Sequence, residues 1–80
     1  MTLSKAVAIR IRNILKERSL TQYKLEQMTG ITHNTMLALL NCKYRSCNLR
    51  TLVIVILALN MSIKDFFDDE IFDNEKLEFD

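Results

Sequence analysis

Side chains with reactive chemistry are few in this chain. It has one histidine, His33, and two cysteines, Cys42 and Cys47, spaced as C-x4-C. His33 would serve as a general base only beside a nucleophile, and no Ser, Cys or Asp has a sequence reason to pair with it. A structural zinc site needs about four ligands. Cys42 and Cys47 supply two, and the distant His33 sits on another element. In a reducing compartment the pair reads as two free thiols. No carboxylate pair, nucleophile–base set or glycine-rich phosphate loop is present, so the chain does not read as an enzyme, and neither a metal nor a cofactor is expected. Charge is the abundant resource, and it is unevenly placed. Residues 1–64 hold ten Lys and Arg against Glu17 and Glu26, a balance of +8, whereas residues 65–80 hold eight acids against Lys76, a balance of −7. The formal net charge of +1 therefore hides a basic body and an acidic tail.

The elements that carry these residues read as helices. With one Gly and no Pro among 80 residues, turn formers are too scarce for a sandwich, barrel or meander, and 49% apolar content is too high for disorder. Ser4 reads as the N-cap of a first helix running to about Arg18. That helix places Leu3, Val7, Ile11, Ile14 and Leu15 on one stripe and Lys5, Arg12 and Lys16 on a solvated face. Thr21 caps a short second helix through Met28, with Leu25 and Met28 inward, and Gly30 stands where a helix end needs left-handed backbone. Thr32 opens a third helix almost at once, so the second and third must cross steeply. On the third, Met36, Leu39 and Leu40 face inward, while His33, Asn34, Leu37, Ala38 and Asn41 face outward with no acid among them.

After a polar loop from Asn41 to Cys47, Asn48 caps a fourth helix ending near Leu59. Its run Leu52 to Leu59 is apolar almost all round, which suits the central helix of a small bundle, although the β-branched residues would also suit a buried strand. Ser62 with Asp65 reads as a capping box and Met61 with Phe66 as a hydrophobic staple, opening a fifth helix that docks Ile63, Phe66 and Phe67. The fold class expected is all-α: a compact five-helix bundle over residues 1–68 followed by an acidic C-terminal tail over 69–80. The apolar run of helix four is far shorter than the ~20 residues a bilayer span needs. Leu3 to Leu15 is interrupted by Lys5, Arg10 and Arg12, unlike a signal peptide. A cytoplasmic protein without a membrane role is expected.

Two short helices joined by a Gly-containing turn, in a basic body, compose a helix-turn-helix unit. Leu20-Thr21-Gln22, Leu25, Gly30-Ile31-Thr32, Thr35-Met36, Leu49-Arg50-Thr51-Leu52 and Ala58-Leu59-Asn60-Met61-Ser62 fall in order at compatible spacing. Together they resemble the phage-repressor/Cro (Xre) family of helix-turn-helix regulators over about residues 4–68. The resemblance implies a lambda-repressor-like bundle that binds a double-stranded DNA operator and regulates transcription, most simply as a repressor. Helix three, from Thr32 to about Leu40, would enter the major groove. The family's base-reading positions fall on His33, Asn34, Leu37 and Ala38. Asn34 suits an adenine edge, Leu37 and Ala38 suit thymine methyl groups, and the lack of Arg or Lys on this face implies an operator biased toward A·T. Phosphate contacts are implied for Gln22, Thr32, Asn41, Lys43, Tyr44, Arg45 and Arg50.

Three departures from the family pattern carry consequences. Where the family has Glu-x-Gly after helix three, this chain has Leu40-Asn41-Cys42, so either Cys42 takes left-handed backbone or the turn differs. Glu26 replaces the usual small residue after Leu25, which bears on the spacing of helices two and three. Leu15 stands where many relatives have Arg.

One recognition helix reads only a few base pairs, so a homodimer is expected, formed by part of helix four with Phe66, Phe67 or Phe72. The tail has three readings: a solvated extension, a segment docked through Ile71, Phe72, Leu77 and Phe79, or an electrostatic brake on DNA binding, the last ranked behind the others. The rival function is a protein-interaction or antitoxin-like module that uses the helix-turn-helix as scaffold and the acidic, aromatic tail toward a protein partner.

Overall fold

The computed structural model describes residues 1–43 and 47–78. Among them run α1 (Leu3–Glu17), α2 (Gln22–Thr29), α3 (His33–Leu40), α4 (Leu49–Ala58) and α5 (Ile63–Phe67), then two 3-10 turns, Glu70–Phe72 and Asn74–Lys76. The all-α five-helix bundle is thus the architecture that forms, and the β-branched run of α4 is helical.

Each helix opens on a cap read directly by the backbone. The side chains of Thr21, Thr32, Asn48 and Ser62 accept from the amides of Lys24, Thr35, Thr51 and Asp65 at 3.0, 3.3, 3.2 and 3.0 Å. The first helix departs from expectation. Thr2, not Ser4, is its N-cap and accepts from the Lys5 amide at 3.3 Å, and Ser4 lies buried in the first turn. Both residue types cap well, and Thr2 is the one held extended by its bridge to Glu78 in the tail.

Helix ends raise a different problem, because four helix ends turn left-handed and the chain has one glycine. Gly30 closes α2 at φ 72°, while Ser19, Cys42 and Asn60 close α1, α3 and α4 at φ 55°, 55° and 57°. Cys42 thus takes the left-handed alternative. After α1 and α4 the amides of Leu20 and Met61 reach back to the carbonyls of Leu15 and Ile56 at 2.8 and 3.2 Å, the paired-bond ending typical of left-handed caps.

Three arginines of the first helix and its cap reinforce those ends. Arg10 donates to the carbonyls of Phe66 and Asp65 at the end of α5, at 2.8 and 3.1 Å. Arg12 donates to Leu40 O and Asn41 Oδ1 at the end of α3, at 3.3 and 2.8 Å. Arg18 donates to the Leu59 carbonyl at the end of α4. A cation there meets the negative end of the helix dipole and satisfies carbonyls that the helix cannot. Arg12 is therefore a cap rather than part of a merely solvated face, and part of the body's positive charge is engaged inside the fold.

The core gathers Val7, Ile11, Ile14 and Leu15 from α1, Leu25 from α2, Met36, Leu39 and Leu40 from α3, Leu52, Val55 and Ile56 from α4, with Leu59 and Phe66. Four expected core residues are outside it: Leu3 is 41% exposed, Met28 42%, Ile63 51% and Phe67 36%. Leu3 begins its helix at the chain end. The place of Met28 is taken by Leu20 and Ile31, which pack on the core from the turns flanking α2. Ile63 opens α5, and Phe66 and Met61 take the inward positions instead.

The residues after Asp68 fold back on α1. Asp69 pairs with Arg10 at 3.3 Å, Phe72 packs on the core, and its ring lies 4.8 Å from that of Phe67 and 6.0 Å from that of Phe66. Glu78 N donates to Met1 O at 2.8 Å, and the Met1 ammonium donates to Lys76 O at 2.8 Å. Ile71 and Leu77 are half-buried, and Phe79 lies outside the described residues. Over its described part the tail is docked rather than solvated.

Candidate nucleic-acid interface

The α2–α3 corner is built by four small devices. Gly30 donates to the Glu26 carbonyl at 2.9 Å in left-handed backbone, Thr29 Oγ1 donates to Leu25 O at 2.8 Å, and the Ile31 amide donates to Thr29 Oγ1 at 3.2 Å. Ile31 then packs on the core and pins the turn from beneath. With Met36, Leu39 and Leu40 buried, the opposite side of α3 has to face outward.

That outward side carries the four residues expected to read bases. His33 and Asn34 are exposed, and Leu37 and Ala38 are half-buried. Asn34, Leu37 and Ala38 share one open concavity of about 590 Å³ with Asn41 and Lys43. A smaller hollow of about 310 Å³ beside it runs from Asn34 and Ala38 past Cys42 and Cys47 to Thr51 at the start of α4. Asn34, Ala38 and Lys43 line both hollows.

The residues expected at phosphates are arranged less uniformly. Gln22, at the first position of α2, is half-buried and donates from Nε2 to Glu26 Oε2 at 3.0 Å. The Thr32 hydroxyl accepts from the Thr35 amide and donates to Thr35 Oγ1 at 3.0 Å, so its capacity is largely used within the cap. The first-turn amides of α3 are the donors that the helix itself leaves open there. Asn41 Oδ1 is taken by Arg12, leaving its amide NH2 as the outward donor. Lys43 and Arg50 are exposed, Arg50 in the first turn of α4. Tyr44 and Arg45 lie outside the described residues.

Glu26 is the member of this surface that its sequence pattern did not announce. Its carboxylate lies 2.9 and 3.1 Å from His33 Nδ1 and accepts from Gln22. The hydrogen bond from His33, followed by that from Gln22, holds the Glu26 carboxyl below its ordinary value against a smaller opposing effect of burial. The Gln22–Glu26 spacing of four was legible as a helix pair; the Glu26–His33 contact depends on the turn between the helices. Glu26 is accommodated between the two helices by these hydrogen bonds, to Gln22 on its own helix and to His33 at the start of α3.

The thiols are both half-buried and free. Cys42 Sγ lies 3.6 Å from the Ser4 carbonyl, and burial pushes the Cys47 thiol up from its ordinary value. Among the described residues no three His, Cys, Asp or Glu side chains gather as a metal site, and no helix is long and apolar enough to cross a membrane.

No curated protein and no solved structure matches the chain. A family model described as the Cro/C1-type HTH DNA-binding domain matches residues 10–70, from the middle of α1 to the start of the first tail turn. That span takes in both helices of the corner, the caps that set their angle and the core beneath them. The chain accordingly belongs to the Cro/C1-type helix-turn-helix DNA-binding domain family and is a DNA-binding regulator.

Proposed function

We propose that this chain is a sequence-specific transcriptional repressor that places α3 in the major groove of an operator and works as a homodimer. The observation that carries this reading is the shared recess of Asn34, Leu37, Ala38, Asn41 and Lys43 on the outer side of α3. A major groove admits one helix and presents amide-matching edges and thymine methyls, which Asn34 and the pair Leu37 and Ala38 complement. His33 completes the base-reading set. Gln22, Asn41, Lys43, Tyr44, Arg45 and Arg50, with the amides at the Thr32 cap, would hold phosphates and set the register. Binding at a promoter suffices for repression and needs no chemistry.

The dimer surface we favour is narrower than the sequence implies. Phe66 is fully buried and Phe72 is half-buried against the core, so of the three rings Phe67, 36% exposed, is the one most open to a second copy. Leu49 and Leu57, 72% and 64% exposed, lie with half-buried Val53 at spacings of four along α4 and make one apolar stripe. A second copy docked there would pair two recognition helices, and reading two half-sites requires them to lie about 34 Å apart. The protein-interaction reading draws on the tail aromatics; Phe72 is engaged with Phe66 and Phe67, which leaves that reading less support.

Selection from a random double-stranded DNA library tests the proposal. The expected result is one enriched motif, two-fold symmetric and rich in A·T, that loses information at a defined position in Asn34→Ala. Recovery of unselected sequence by the wild-type protein would overturn it.

A further inference from the structure

Between α2 and α3 one carboxylate controls two side chains of the proposed DNA face. Glu26 Oε2 accepts from Gln22 Nε2 at 3.0 Å and lies 2.9 Å from His33 Nδ1, with Oε1 3.1 Å from the same nitrogen. The Glu26 side chain is 12% exposed and that of His33 64%. An ionised carboxylate can only accept, so the proton of this contact belongs to Nδ1 whether the imidazole is neutral or charged. Nε2 is then the atom whose state varies, as a lone pair in the neutral ring and an N–H in the charged one. It has no hydrogen-bond partner among the described residues.

We propose that Glu26 is a positioning residue for base recognition: by fixing the Nδ1–H tautomer of His33, it makes Nε2 an acceptor for a base amino group when the ring is neutral and a donor when it is charged. This rests on α3 lying in the major groove. There the amino donors are adenine N6 and cytosine N4, while guanine offers only acceptors at O6 and N7. One operator position is therefore read as adenine or cytosine when the ring is neutral; when it is charged the donor suits guanine O6 and N7, thymine O4 and adenine N7, and cytosine, which offers only a donor, is disfavoured.

The surroundings leave Glu26 as the partner that decides the ring's state. α3 carries no Lys, Arg, Asp or Glu of its own. From α2, Lys24 is two positions from Glu26 and so lies on the other side of that helix. From α1, the charge that reaches α3 is Arg12, which sits at its opposite end on Leu40 and Asn41.

Because the chain has one histidine, labelling histidine with nitrogen-15 gives one imidazole signal set. In the free protein at about pH 8.5, where a histidine is ordinarily neutral, long-range proton–nitrogen spectra should show the proton on Nδ1. Glu26→Ala should move it toward Nε2, the tautomer that an unconstrained imidazole prefers; Glu26→Leu, which also lacks an acceptor, serves the same purpose if the Ala variant does not fold. A wild-type ring protonated on Nε2, or one tautomer shared by wild type and variant, overturns the proposal without reference to DNA.

Library selection at about pH 8.5 and about pH 5.5 then reads the consequence. In the wild type, preference at one position should shift away from cytosine toward the acceptor-bearing bases guanine and thymine by roughly fivefold or more at the lower pH. Glu26→Ala should abolish the shift, and an unchanged shift overturns the proposal. If His33→Ala leaves the motif intact at both pH values while Asn34→Ala still changes it, α3 lies in the groove but His33 reads no base and the proposal fails; if neither variant changes the motif, the placement of α3 in the groove fails and the proposal with it.

Discussion

Arg12 of α1 and Asn41 at the end of α3 are joined by a 2.8 Å hydrogen bond, with the Arg12 Nε on the neighbouring Leu40 carbonyl. The last turn of the proposed recognition helix is thereby tied to the bundle by a residue that has no place on the DNA face. Replacing Arg12 with Met keeps the aliphatic stem and removes the donors. The expected cost is about 1–2 kcal/mol, for the two missing hydrogen bonds and the dipole interaction at a partly exposed site. In a domain of this size that is a Tm lower by roughly 4–8 °C for each kcal/mol. Unchanged thermal unfolding would show that the arginine contributes nothing to the helix end.

The left-handed helix ends predict effects of opposite sign. Gly30→Ala meets no atom within 4 Å of its new Cβ, so its cost is backbone strain alone at φ 72°, about 1 kcal/mol. Cys42→Gly relieves the same strain at φ 55° and should stabilise by about 0.5 kcal/mol after the entropy of glycine is counted. Urea midpoints of the two variants should lie on either side of the wild type.

Glu26 makes stability depend on pH in one direction. Its carboxyl is held below the ordinary 4.5, first by the hydrogen bond from His33 and then by that from Gln22. A depressed acid stabilises the fold above its ordinary value, and the contribution fades as pH falls through the lower folded value. The stability gap between wild type and Glu26→Gln should accordingly be widest near neutral pH and close in acid. A gap of constant size across that range in urea titrations would refute the linkage.

Phosphate-binding and base-reading side chains should separate under salt. Lys43→Ala and Arg50→Ala are expected to weaken all sequences alike and to flatten the slope of log affinity against log salt by about 0.9 for each phosphate left without its cation. Asn34→Ala should leave the slope alone and cost about 1–3 kcal/mol at its preferred base pair only. Fluorescence anisotropy over a salt series distinguishes the two patterns.

The α4 stripe predicts oligomeric state. Leu57→Asp places a charge on an exposed position, so it should leave folding intact and convert a dimer to a monomer in sedimentation at micromolar concentration. A wild-type chain that sediments as a monomer on its operator would remove the case for a dimer.

Much of this architecture was legible residue by residue. Thr21, Thr32, Asn48 and Ser62 announced their helices because a cap is a contact between a side chain and an amide three positions on, well inside the reach of local sequence. Met36, Leu39 and Leu40 were legible as the inner face of α3 for the same reason: the helical period places them together. The misplaced start at Ser4 shows where local reading ends, since Thr2 and Ser4 are equivalent until the tail arrives beside Thr2.

Sequence alone determined the helical class, the order of five helices, the tight α2–α3 corner and the outward set His33, Asn34, Leu37 and Ala38. All of these follow from spacing within one or two turns. Only the tertiary structure decided the rest: that Arg10, Arg12 and Arg18 close the ends of other helices, that the acidic tail docks on α1 through Asp69 and Phe72, and that Glu26 meets His33. Those contacts join residues through long side chains across separate elements, where charge and length permit many partners and packing alone selects one. The basic body counted along the chain is for that reason not the same as the positive charge available at the DNA face.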